Sequence, residues 1–358
     1  MTKRQSSVSR RRVIGGMAAM AAATFPAPGL RAQRTGGRVV VRGIGGAYQD
    51  ALSKSLFGPF TRDTGIEVVI QAVTAGQVRA MVAAGRTQID VLDLGELGLL
   101  SLDKSEMLEP IDYGRFALTN PNDIDPPVRR PTMVGAFYFG TVMTYRTDVF
   151  GNTPPKNWTE FWDAGRFPGP RTLADAKAAA PELEFALLAD GVPIDKLYPL
   201  DVDRAFRSFD RIRGNVVKWW DTGALVTQLL ERKEAVLGAM WVARAFDLID
   251  RGVPVGVQWN QGKRQLQLYA IVKNAPNRDN AIRFIDYAMQ ASVHAEIAAQ
   301  IAYATTNSKA RGMIPAEHTR RFQLYPDRGF TFFQQDGAWW ADNVAKVSER
   351  WQSWLLGR

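Results

Sequence analysis

The sequence predicts an α/β fold in two lobes, and three observations carry that expectation. Short β-branched runs alternate with amphipathic helical stretches along most of the chain. With 358 residues, 46% hydrophobic and 10% aromatic, it can bury a large core, in about two domains. The alternation breaks twice, at glycine-bearing β-rich segments, which marks a crossing between lobes and a later return.

In chain order, "RVVVRG" (Arg38 to Gly43) reads as a buried strand, "YQDALSKSLFGPFTRDTG" as an amphipathic helix stopped near Gly65, and "IEVVIQAV" as a second strand. This is a β-α-β unit. "AGQVRAMVAAG" continues as helix and "IDVLDLGE" as an apolar strand ending in acids, so a parallel sheet is expected. "PPVRRPTMVGAFYFGTVMTYRTDVF" then departs from the pattern with two short β-rich runs around Gly135 and Gly140. Helices follow at "PELEFALLADG" and "LDVDRAFRSFDRIRG", and strand and helix alternate again from "NVVKWW" to "ARAFDLIDRG". "VPVGVQWNQGKRQLQLYAIV" supplies a glycine-hinged pair of strands that leads back. Lobe 1 is expected at 38–140 and 260–325, and lobe 2 at 141–259 and 326–358.

The formal charge of +9 does not point to nucleic acid. Lys3, Arg4, Arg10, Arg11, Arg12 and Arg31 supply six of those charges within residues 1–32, which hold no acid. "SRRRVIGG" followed by "MAAMAAATF" and "PAPG" reads as an export signal with a cleavage point after Ala32, resembling the twin-arginine type. The mature protein is therefore expected in the periplasm. No cysteine is present, which excludes disulfides, thiolate catalysis and iron–sulfur clusters, and the two histidines, His294 and His318, make a metal centre unexpected.

Candidate chemistry starts at "RGIGGAYQDAL" (Arg42 to Leu52), a glycine loop between strand and helix. Gly43 and Gly45 fit a dinucleotide fingerprint, but Tyr48 stands where its third glycine belongs, and Glu67 precedes its strand instead of ending it. The loop is read as presenting backbone N–H groups, with Tyr48, to the polar end of a ligand, a ligand-free glycine turn being the other reading. Trp219, Trp220, Trp241 and Trp259 fall at strand ends or loops, and with Tyr48, Tyr138, Tyr269 and Tyr303 could line a cleft suited to cation–π contacts. Arg244 either clamps a carboxylate or forms a structural salt bridge to Asp247 or Asp250. Asp93 and Asp221 either face an ammonium group or are solvated loop acids. No nucleophile triad, metal-helix motif or Walker loop occurs.

The order of segments resembles the periplasmic solute-binding proteins of ABC importers, in the branch of spermidine/putrescine and related amino-acid receptors. The resemblance rests on "GGAYQDAL" with "PFTRDTGIEV", "AGRTQIDVLDLGE" with "MLEPIDY", "NWTEFWDAGRFPG", "WWDTGALVTQLL" with "AMWVARA", "IAYATTN", and "AWWADNVAKVSERWQSWL". It implies a two-lobed type II periplasmic-binding fold with hinge strands and a central ligand cleft. By position it implies a pocket of Gly46 and Tyr48, Asp93 and Leu94, Trp219 to Thr222 with Trp220 and Asp221 between, Trp241 and Arg244, Gln267 and Tyr269, and Tyr303; Tyr138 joins from the aromatic set.

Polyamine receptors of that branch carry acids at two places that here read Gln265-Leu266-Gln267 and Ala178-Ala179-Ala180-Pro181. A buried polycation without paired carboxylates is costly, so a smaller zwitterion, carboxylate-bearing amine or neutral polar solute fits better. The expected function is a non-catalytic receptor, probed as polyamine-like, 4-aminobutyrate-like or amino-acid-like in its solute, that delivers to a membrane permease as a monomer. No cofactor, metal or nucleic acid is expected; the rival reading is an exported cofactor-binding enzyme.

Overall fold

The computed structural model describes residues 36–43, 45–178, 180–325 and 328–357. The expected export segment, residues 1–32, lies outside them. Val39, Val40 and Val41 are buried along the strand Arg38–Arg42, and the helical run that follows carries Leu52, Leu56, Phe57 and Phe60 into the same core. That run has a π-helical turn, Ser53–Phe57, between the α-helices Gly46–Leu52 and Gly58–Thr64. Gly65 ends it at φ 71°, where a residue without a Cβ is unstrained, and its N–H donates to the Thr61 carbonyl. Thr74 and Gln77 then form a capping box on the helix Ala75–Ala83.

One mixed sheet runs through the molecule in the order Glu67–Gln71, Arg38–Arg42, Val91–Gly95, Val255–Val272, Met133–Arg146, Leu237–Trp241, Arg171–Ala174, Val216–Trp220. The three strands at each end are parallel, as β-α-β crossovers require. The central two are antiparallel to each other and to their outer neighbours. The expectation of a parallel sheet is corrected there, because the chain crosses the middle once outward and once back.

Two further expectations change for the same reason. The runs around Gly135 and Gly140 are one strand of 14 residues, Met133–Arg146, whose register shifts between Gly135 and Phe137 and between Thr141 and Met143. Gly135 is there because a Cβ would stand 2.6 Å from Val128 Cβ. The glycine-hinged pair is likewise one strand of 18 residues, Val255–Val272, and the residue at positive φ is Gln261 (61°), with Gly262 packed against Leu324.

Buried side chains gather in two main clusters. One is built on Val41, Val91, Phe137, Leu268 and Phe284; the other on Met143, Leu173, Phe206, Phe209 and Trp351. The two long strands thus pass from one core to the other, giving the two-lobed architecture with crossing strands. The C-terminal helix Gly337–Leu355, capped by Asp336, adds Trp340, Val347 and Trp351 to the second cluster. Among the described residues no helix is long and apolar enough to cross a membrane.

Candidate functional site

The cleft follows the crossing strands. Strand alternation puts Lys263, Gln265 and Gln267 on one face of Val255–Val272. With Phe139 and Thr141 of the neighbouring strand and Arg42, they border a cavity of about 480 Å³. A second cavity, about 340 Å³, adjoins it: Trp241 borders both, and its wall includes Gly45, Tyr48, Arg244 and Tyr303 with the charged Asp247, Asp250 and Arg321.

Of the expected site residues, Leu94, Trp220, Trp241 and Gln267 border the first cavity, and Tyr48, Trp241, Arg244 and Tyr303 the second. Gly46 sits at φ 67°, with Arg244 Nη2 only 3.6 Å from where its Cβ would stand. Trp220 is fully buried, donates through Nε1 to the Ala239 carbonyl at 2.9 Å and meets Trp241 edge-on at 5.2 Å. Thr222 is exposed and caps the helix Gly223–Glu231, and Asp221 beside it is exposed.

Three expected residues stand elsewhere. Trp219 packs edge-on against Phe209, Trp351 and Trp354, because successive strand residues face opposite ways and Trp220 takes the inner side. Tyr269 is buried in the first core, edge-on to Phe284 at 6.1 Å, with its hydroxyl unbonded. Tyr138 points from the crossing strand into another cavity, about 540 Å³, where its hydroxyl donates to Asp125 at 3.1 Å. Tyr303 borders that cavity too.

Asp93 is buried, and its carboxylate accepts from the Tyr48 hydroxyl at 2.8 Å and from Gln267 Nε2 at 2.5 Å. It holds the glycine loop to the cleft floor instead of facing solvent. Burial pushes its pKa up to about 6, against the opposing pull of Gln267, Tyr48 and the Arg42 charge. The Tyr48 hydroxyl therefore turns inward, while its ring packs on Tyr303 at 5.3 Å and walls the cavity. Tyr48→Phe is expected to cost about 2 kcal/mol in urea unfolding at pH 7.5, where Asp93 is charged, and about 1 kcal/mol at pH 4.5, where it is protonated.

Sequence reasoning passed over three cleft residues. Arg42 ends the first strand and is anchored through Nε to the Val73 carbonyl (2.9 Å) and through Nη1 to the Asp93 carbonyl (2.8 Å). Glu182 lies one residue past the acid-free run 178–181, so the reading that both acidic sites are missing is corrected: a carboxylate does line the cleft. It is already neutralised, because Lys263 Nζ bonds to it. The alternation of the strand was the signal for Lys263; the signal for its partner, 81 positions away, was absent. Ala179 lies outside the described residues. Among them, no three His, Asp or Glu side chains are placed to hold a metal ion.

Two α/β lobes joined by antiparallel crossing strands, with a polar and aromatic cleft along those strands, define the two-lobed type II periplasmic binding fold. A family model described as bacterial extracellular solute-binding protein matches residues 55–319. The chain is 28% identical to the gamma-aminobutyric acid-binding protein of Pseudomonas aeruginosa, over 90% of this chain and 92% of that protein. It is 25% identical to the spermidine/putrescine-binding periplasmic protein of Escherichia coli, over 87% and 90% respectively. A solved GABA receptor superposes with a TM-score of 0.80 at 32% identity, covering 88% of this chain and 97% of the other. The chain belongs to the family of bacterial extracellular solute-binding proteins, the substrate-binding components of ABC transporters.

Proposed function

We propose that this protein captures a small solute bearing one amine and one carboxylate, of the γ-aminobutyrate class, and delivers it to membrane permease subunits. The observation that carries this reading is Arg244. It lines the cavity beside Trp241, Tyr48 and Tyr303, yet no hydrogen bond or ion pair to another described residue holds its guanidinium. Asp247 and Asp250 border the same cavity but have other partners: Asp247 lies 3.8 Å from Arg251, and Asp250 accepts from Arg321 at 2.6 Å. An unpaired guanidinium in a half-enclosed cleft suits a two-pronged carboxylate.

The other end of the solute meets Trp241, whose ring borders both cavities, and Gln267. Gln267 donates one amide N–H to Asp93, which fixes the amide with its carbonyl oxygen as an acceptor for an ammonium group. The gamma-aminobutyric acid-binding relative and the solved GABA receptor carry that solute class in their names, whereas the Escherichia coli relative is named for polyamines. In this reading residues 1–32 are an export signal of twin-arginine type and binding takes place in the periplasm. The lobes close on the solute by bending at the crossing strands, near Gly140 and Gln261.

A thermal-shift series tests the solute class. γ-Aminobutyrate should raise Tm, whereas butylamine, butyrate, ATP and NAD should each leave it unmoved, because either single-ended compound forfeits half of the polar contacts. A shift with butylamine equal to that with γ-aminobutyrate would remove Arg244 from the reading.

A further inference from the structure

We propose that Lys263 is a tethered ammonium that occupies an amine subsite of the cleft and so restricts this protein to solutes with a single amine. The inference rests on the reading of the cleft as the solute site. Lys263 and Glu182 both border the 480 Å³ cavity, and the lysine side chain is only 3% exposed. Its Nζ bonds to Glu182 and lies 3.4 Å from Glu184 Oε2. Both carboxylates come from the start of the helix Leu183–Ala189, where Glu182 is the residue preceding the first turn and Glu184 lies within it.

The three groups are fixed from outside the cleft. Glu184 Oε1 accepts from the Tyr198 hydroxyl at 2.7 Å and from the indole N–H of Trp340 at 2.7 Å, so the C-terminal helix clamps the pair from behind. The Phe185 ring presents its face to the ammonium at 5.2 Å from the centroid. Two carboxylates and an aromatic face around a buried position are the groups that recognise an alkylammonium ion. Here the ion is the chain's own.

The consequence is a filter on charge. A diamine would bring a second ammonium to a cleft that already holds Arg42, Arg244, Lys263 and Arg321, and whose carboxylates are each engaged by a cation: Glu182 by Lys263, Glu96 by Arg130, Asp247 by Arg251 and Asp250 by Arg321. It would have to displace Lys263 from a buried ion pair, whose disruption leaves an uncompensated charge. A solute with one amine and one carboxylate meets no such conflict.

The test compares putrescine and γ-aminobutyrate by calorimetry on wild type, Lys263→Met and Lys263→Met/Glu184→Gln. The double variant removes one charge of each sign, and its amide oxygen still accepts from Tyr198 and Trp340; if Lys263→Met does not fold, the double variant decides alone. In a variant whose near-ultraviolet dichroism matches wild type, putrescine affinity should rise at least about tenfold, a gain near 1.4 kcal/mol. Adding Glu182→Gln should abolish the gain. A rise smaller than that, or one that survives Glu182→Gln, overturns the proposal. Wild type that binds no amino carboxylate would refute the solute class proposed above, whereas the putrescine difference between variant and wild type judges Lys263 separately.

Discussion

Between pH 7 and pH 4.5 the protein should lose about 3 kcal/mol of stability that a His294→Gln variant retains. His294 is fully buried; its Nδ1 lies 2.8 Å from the Thr305 hydroxyl, its Nε2 has no partner, and its ring sits 4.8 Å from that of Phe137. Burial lowers its pKa to about 3. The unfolded chain takes up a proton near pH 6.5, but the folded chain refuses it, so the unfolded state binds more protons throughout the interval between the two values. Stability from this group is complete above pH 6.5 and falls as pH drops, by about 1.4 kcal/mol per unit, until pH 3.

Asp93 works in the opposite sense. Its folded pKa of about 6 lies above the unfolded value, so its contribution is present below pH 4 and is lost as pH rises through 6. Comparing wild type with His294→Gln cancels that background, since Asp93 is common to both. Urea unfolding at the two pH values reads the difference. Equal pH dependence in the two proteins would mean that His294 is protonated in the fold.

Arg244→Met should weaken γ-aminobutyrate binding about a hundredfold, or roughly 3 kcal/mol, with little change in urea stability. The two readings of Arg244 open at the level of sequence separate here. A structural arginine would leave Asp247 or Asp250 unpaired when removed, and stability would fall while affinity held. In the structure those acids face Arg251 and Arg321, so removing Arg244 strands no partner. Met keeps the apolar stem beside Trp241 and Tyr48, which confines the loss to the charged contact. Butylamine, which has no carboxylate, should leave the Tm of wild type and variant alike unmoved.

Much of the fold was legible because local pattern and tertiary structure agree. The buried Val39–Val41 run, the Gly65 stop and the return at "IEVVIQAV" each follow from periodicity and glycine conformation. The crossing strands were not legible as single elements, since the bulges at Gly135 and Thr141 and the left-handed Gln261 imitate chain breaks in sequence. The antiparallel centre of the sheet was hidden for a different reason: strand direction is set by connections across the whole chain.

The cleft shows the same division. Tyr48, Trp241, Arg244 and Tyr303 are contiguous in space as the segment order implied. Trp219 was misplaced because adjacent tryptophans on a strand cannot both face the same way, and the choice was made by Trp351 and Trp354 from the far C-terminus. Strand alternation placed Lys263 on the cleft face, but its pairing with Glu182 and Glu184 escaped notice because nothing in a glutamate predicts burial; only the fold brings them together.

The most direct measurement of the central claim is a calorimetric titration of the purified, wild-type protein with γ-aminobutyrate at pH 7.5. The account predicts one site per chain with a Kd of micromolar order, near −8 kcal/mol, and γ-aminobutyrate recovered unchanged from the complex. No heat at millimolar γ-aminobutyrate, or conversion of the bound solute into a product, would contradict it.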